Sequence, residues 1–149
     1  MAYHFYGWES ADRVKAGNPQ TGYAGIRTPL DLYDALSDIW CAETCAPRMR
    51  AAWSPENKTL GQCSITAFLA QDIFGGEVYG LVTESGDVHC YNVVDGYTFD
   101  LASEQFGRKA KDLVYTGNTL QDRESAGQLG NEDKRSRYEL LCRKLAERK

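Results

Sequence analysis

The apolar positions of the chain change period several times, and those changes mark its elements. Thr28-Pro29 reads as a helix start, a Thr cap followed by Pro at the first helical position. Leu32, Leu36, Ile39 and Trp40 follow at helical spacing, which predicts a helix from Pro29 to about Cys41. A short second helix is expected from Cys45-Ala46-Pro47 to about Trp53. The polar loop Ser54-Pro55-Glu56-Asn57-Lys58 comes next. Between Gly61 and Gly75-Gly76, Ile65, Phe68, Leu69 and Ile73 form one stripe, which Ala67, Ala70 and Phe74 widen around the cylinder. A helix this apolar is buried on most sides, and the glycine pair is its stop.

The period then shortens. Strands are expected at Glu77–Val82, Val88–Val94 and Tyr97–Leu101, the last two joined by the hairpin signal Asp95-Gly96. Ser103 caps a short turn that contains Phe106. Residues 107–130 show no period and are broken by Gly107, Gly117, Gly127 and Gly130. Asn131 caps a last helix with Tyr138, Leu141 and Leu145 on its apolar face, and Glu132 and Asp133 suit its first turn. Residues 1–27 carry no clear period and read as an arm ahead of a single domain, 28–149. The expected class is α+β: N-terminal helices, a central apolar helix, a small antiparallel sheet packed on it, and a C-terminal helix.

Composition narrows the function classes. The chain has 149 residues, 42% of them apolar and 26% charged, with a formal charge of −4. These values suit a folded globular domain and exclude a disordered or fibrous chain. No apolar run is long enough to span a bilayer, and MAYHFYGWESADR lacks the basic and apolar regions of a signal peptide. Five cysteines in a chain with no secretory signal suit a reduced, cytoplasmic protein with free thiols. Residues 108–149 hold eleven basic and seven acidic side chains. The two signs alternate there on an expected helix, which reads as a solvated face rather than a nucleic-acid surface. Neither nucleic acid nor membrane is expected as a partner.

Cys63 is the residue with chemistry. It opens the buried helix, where unpaired amides and a partial positive charge favour a thiolate and would receive an oxyanion. Taken alone, a small cysteine is more often a core residue. His89 changes that balance. With Asp95-Gly96 as a two-residue turn, Val94 faces Tyr97, Tyr91 faces Asp100 and His89 faces Ala102. His89, Tyr91 and Asp100 then share one sheet face, with His89 diagonal to Asp100 at a Cβ separation of about 7–8 Å or less. The face bearing His89 is expected to meet Cys63. Thiol, imidazole and carboxylate are the parts of a nucleophile, base and orienter. Asn92 lies on the opposite face, and Asp95 is explained by its turn. Gln62 and Trp53 are candidates for the oxyanion side of the pocket. Cys41 and Cys45 stand four apart, but no second pair follows at ligand spacing, so neither metal nor cofactor is expected.

Gly61-Gln62-Cys63 entering a helix, with His89 and Asp100 on successive strands, resembles the transglutaminase-like branch of the papain-like cysteine superfamily. The resemblance implies Cys63 as nucleophile, His89 as general base and Asp100 as orienter. Ser64 stands where animal transglutaminases carry Trp after the nucleophile, and no acidic calcium loop is visible. The chain is also similar to the small bacterial YunG-like proteins. That likeness lies in Pro47-Arg48-Met49-Arg50, Trp53-Ser54-Pro55-Glu56-Asn57, Gly61-Gln62-Cys63, Gln71-Asp72-Ile73-Phe74-Gly75-Gly76-Glu77, Asp100-Leu101, Gln105-Phe106 and Tyr138-Glu139-Leu140-Leu141. It implies a fold more firmly than a substrate. The expected function is thiol-dependent acyl chemistry on the amide, thioester or ester of a small molecule or protein. The alternative is a binding or regulatory domain that keeps the fold without turnover.

Overall fold

The structure is a computed structural model that describes residues 3–17 and 23–148. It is α+β, with a four-stranded antiparallel sheet flanked by helices. Helix α1 is Pro29–Ser37, α2 is Cys63–Phe74 and α3 is Glu132–Glu147. The strands are β1 Glu77–Val82, β2 Val88–Val94, β3 Tyr97–Phe99 and β4 Thr119–Leu120, in the order β3-β2-β1-β4. Among the described residues no helix is long and apolar enough to cross a membrane.

Local chemistry sets the element ends. At α1 the Asp31 carboxylate accepts the Thr28 N–H, and Pro29 fills the first turn. The helix stops at Ser37, short of Cys41, because Ile39 and Trp40 both donate back to the Leu36 carbonyl in a tight turn. Asn131 caps α3 by accepting the Lys134 N–H at 2.9 Å. The Asp95-Gly96 turn has positive φ at both residues, as a hairpin of that length demands. It sets Val94 opposite Tyr97 and Asn92 opposite Phe99, the register expected from the sequence.

β3 ends at Phe99, two residues earlier than expected. The Asp100 N–H donates instead to the Tyr6 carbonyl at 2.9 Å, and the chain then turns through Ser103. Within the stretch expected to be a separate arm, residues 3–17 thus pack into the domain. Trp8–Arg13 forms a 3-10 helix, and Phe5, Ala11 and Val14 are buried in one cluster with Leu32, Phe99, Leu141 and Leu145. The sequence hid this because three core side chains on irregular backbone leave no period. β4, also unexpected, is too short to show alternation.

The central helix packs on the opposite face of the sheet from the one expected. Ala67 and Phe68 pack with Val78 and Cys90, and Asn92 Nδ2 donates to the Ala67 carbonyl at 2.8 Å. Side chains alternate along β2, so His89 and Tyr91 point away from the body of α2.

Truncating Phe5, fully buried in the main cluster, is expected to cost about 3–5 kcal/mol, similar to truncating Leu141. Urea denaturation of Phe5→Ala and Leu141→Ala checks this. A loss below about 1 kcal/mol at Phe5 would restore the reading of residues 1–27 as a dispensable arm.

Candidate active site

The site begins with a buried acid. Asp100 is 1% exposed. Its Oδ2 accepts from His89 Nε2 at 2.6 Å and from Tyr115 Oη at 2.7 Å, and its Oδ1 accepts from the Ala102 N–H at 3.1 Å. His89 is itself 2% exposed, and its ring packs edge-on against Phe106 at 4.8 Å between centroids. Burial opposes charge on this ring, but the Asp100 carboxylate and a Cys63 thiolate overcome it and push the imidazole up to about 10.

Cys63 is the first residue of α2 and half-buried. β3 pairs with β2 only from Asn92 to Val94, so the edge of β2 beyond Asn92 has no strand beside it there. The amino end of α2 reaches β2 at Cys90, whose sulfur lies 3.5 Å from Ser64 Oγ. Cys63 lines one cleft with His89, and its sulfur lies 3.9 Å from the same Ser64 Oγ. Hydrogen bonding from Cys90 first, and the charge and hydrogen bond of His89 next, outweigh burial and hold Cys63 well below the usual thiol range. His89 uses Nε2 on Asp100, which leaves Nδ1 for the sulfur. The sequence-predicted Cys63, His89 and Asp100 are thus brought together.

The backbone before α2 is shaped for this entry. Gly61 has φ +72, and a Cβ there would stand 2.5 Å from Cys45 Sγ and 2.9 Å from the Ala46 nitrogen. Its N–H donates to Gln105 Oε1 at 3.4 Å. Thr66 donates to the Gln62 carbonyl at 3.1 Å; the amides of Cys63, Ser64 and Ile65, ahead of it, are the first-turn donors of α2. Around them lies a cleft of about 450 Å³, lined by Cys63, Ser64, His89, Gln105, Phe106 and Lys134 among others.

Gln62 and Trp53 do not belong to this cleft. The Gln62 side chain is fully buried, turns inward and donates to the Cys41 carbonyl at 3.0 Å. Trp53 Nε1 donates to the Lys58 carbonyl at 3.0 Å, closing its own loop. Gln62 is next to Cys63 in sequence, but successive side chains at a helix start point about 100° apart.

Three further residues join the site. Tyr115 donates to Asp100 and stacks on Tyr6 at 3.9 Å. Lys134, from α3, reaches Ser64 Oγ at 3.5 Å, the Gly127 carbonyl at 2.8 Å and Gln128 Oε1 at 3.1 Å. Cys90 touches Ser64 Oγ at 3.5 Å and Gln128 Nε2 at 3.6 Å. No motif marks Tyr115 or Lys134; Cys90 carried a signal only in its adjacency to His89. Among the described residues no three His, Cys, Asp or Glu side chains gather as metal ligands.

The family described as YunG protein matches residues 28–149, and the chain belongs to it. It is 44% identical over 55 residues to a protein of Bacillus subtilis (strain 168) described as "Uncharacterized protein YunG". That match covers 36% of this chain and 46% of the relative. No solved structure matches the chain.

Cys63 is expected to be the fastest of the five free thiols. Limited iodoacetamide at about pH 6, read by peptide mapping, is expected to label Cys63 ahead of Cys41, Cys45, Cys90 and Cys142, at least roughly tenfold faster. His89→Gln should erase the preference. Tyr115→Phe should keep it but move the profile a few tenths of a pH unit towards the ordinary thiol range, since one donor to Asp100 is lost. Uniform labelling in the parent chain would remove Cys63 as a nucleophile.

Proposed function

We propose that this YunG-family chain is a thiol-dependent acyl-transfer enzyme with a papain-like or transglutaminase-like core and a Cys63–His89–Asp100 triad. The observation that carries this reading is the buried 2.6 Å bond between His89 and Asp100, set beside a thiol at a helix start that opens on a cleft. A buried imidazole held charged by a carboxylate on one nitrogen and a thiol on the other is costly as mere packing. It is well suited to holding a thiolate–imidazolium pair.

The reaction follows from these positions. Cys63 sulfur attacks the carbonyl carbon of an amide, thioester or ester. The first-turn amides of α2 receive the developing oxyanion. The leaving amine, thiol or alcohol takes the proton from His89, and a thioester to Cys63 remains. Neutral His89 then removes a proton from water or from an amine, which attacks the thioester and frees Cys63. Asp100 holds the ring in one orientation and favours its charged form throughout. The imidazolium is lost as pH rises through about 10, so protonation of the leaving group fails above that value. At lower pH the limit is set where Cys63 takes a proton.

The test is acylation by p-nitrophenyl acetate. A nitrophenolate burst with acetyl mass on the Cys63 peptide is expected, and Cys63→Ala should abolish both. Asp100→Asn should slow the burst by at least roughly 10²-fold, because the shape survives and the charge does not. Asp95→Asn should do little, since Asn-Gly forms the same turn. Rapid alkylation of Cys63 with no acetyl-enzyme would leave a reactive thiol on a binding or regulatory domain. Equal effects of the two aspartate variants would remove Asp100 as the orienter.

A further inference from the structure

Cys90 is a nucleophilic side chain in the site that acyl chemistry does not use. It is 1% exposed and sits on the α2 side of β2, next in sequence to His89. Its sulfur has two polar neighbours besides Cys63, Ser64 Oγ at 3.5 Å and Gln128 Nε2 at 3.6 Å. The same Ser64 hydroxyl lies 3.9 Å from Cys63 Sγ. The two sulfurs therefore flank one hydroxyl, one at the cleft and one behind it. Cys63 is among the cleft-lining residues and Cys90 is not. A solute entering the cleft meets Cys63 first, and the thiol behind it meets Cys63.

We propose that Cys63 and Cys90 form a redox-active pair, in which a hydroperoxide oxidises Cys63 and Cys90 closes it as an intramolecular disulfide. This rests on the reading of Cys63 as the reactive thiol of the cleft. In the first step the Cys63 thiolate attacks one peroxide oxygen. The O–O bond breaks, the alcohol or water leaves with a proton, and sulfur is oxidised by two electrons to sulfenic acid. In the second step the Cys90 thiol loses its proton and its sulfur attacks Cys63 sulfur. The S–O bond breaks and water leaves. Two thiols and one hydroperoxide give one disulfide, one alcohol (water from hydrogen peroxide) and one water.

Two consequences follow from the placement. The disulfide occupies the nucleophile, so acyl transfer stops until a thiol reductant reopens the bridge. It also intercepts the sulfenic acid before a second peroxide carries it to sulfinic acid, which thiols do not reverse. Bringing the sulfurs to the bond length of about 2.05 Å asks for rotation at Cys63, which is the first residue of its helix and has no preceding turn above it. Neither Cys41 nor Cys45 serves this purpose. Cys41 Sγ contacts Thr44 Oγ1 and Cys45 Sγ the Ala46 carbonyl, and neither is among the residues lining the cleft.

The test uses the reduced full chain, a several-fold molar excess of hydrogen peroxide over protein, and peptide mapping without reductant. The expected product is a Cys63–Cys90 linked peptide lighter by two hydrogens, with iodoacetamide labelling of Cys63 lost and then restored by dithiothreitol. In Cys90→Ser the link is absent, and Cys63 passes to sulfinic acid that dithiothreitol does not reverse. Cys90→Ala gives the same result without a hydroxyl in the pocket, and circular dichroism checks that either variant folds. Sulfinic acid at Cys63 in the parent chain, equal to that in the Cys90 variants, overturns the pair. So does a bridge through any other cysteine. If Cys63 alkylates fast yet forms no bridge, this inference fails while the acyl-transfer reading stands. If Cys63 is slow towards both reagents, the acyl-transfer reading fails with it.

Discussion

A carboxylate buried to 1% exposure holds this molecule's parts in register. Asp100 takes hydrogen bonds from His89 on β2, from Tyr115 in the segment before β4 and from the Ala102 amide in the following turn. Its own N–H ties down Tyr6. Removing a carboxylate from water costs several kcal/mol, and partners placed this closely are what make the burial tolerable. Each partner is in turn fixed by a neighbour. Tyr6 stacks on Tyr115, and the Tyr6 N–H donates to Ser103 Oγ at 2.9 Å. Tyr91 Oη donates to the Tyr115 carbonyl and accepts from Asn118. The N-terminal segment, the hairpin and the irregular stretch after it therefore converge on one acid. They form a unit, because loss of any donor leaves charge uncompensated in the interior.

The same constraint explains why the third strand is short. Pairing of β3 with β2 along their full length would have covered the edge at which Cys63 sits. By turning the chain at Asp100 and pairing it with Tyr6, the fold leaves that edge open. The amino end of α2 reaches β2 there, at Cys90. Gly61 admits the close approach, and Arg137, which also bonds Asp133 of its own helix at 2.9 Å, ties α3 to the Thr44 carbonyl at 3.2 Å. Lys134, one helical turn earlier, is thereby brought to the cleft.

What the sequence discloses here is local. Thr28-Pro29, Asn131 and Asp95-Gly96 are terminus and turn signals that act over a few residues, and the elements start and turn where they say. The hairpin turn alone sets the register that puts His89 diagonal to Asp100, because the side-chain period of two leaves no freedom once the turn is known. Contacts that cross the chain are illegible. Phe5 and Val14 enter the core from irregular backbone, and Tyr115 reaches Asp100 across a stretch broken by glycines. The face of β2 that receives α2 was open to misreading for a definite reason. Cys90 and Asn92 on one face and His89 and Tyr91 on the other are all buried, so polarity does not distinguish the faces. Gln62 was misjudged because nearness in sequence says nothing about direction at a helix start.

The surroundings of Cys63 and Cys90 push the two thiols in opposite directions. Cys63 and Cys90 share the Ser64 hydroxyl, so ionising one raises the cost of ionising the other. Cys63 has the helix amides and the His89 imidazolium on its side. Cys90 has burial and a neighbouring thiolate against it. Its hydrogen bond to Cys63 first, and then burial, push its thiol well above the usual range. It therefore remains an S–H donor, and its donation is the largest influence lowering Cys63. Lys134 adds a cation whose hydrogen-bond acceptors are neutral oxygens. Burial pulls its ammonium down, while the two thiols favour keeping it charged.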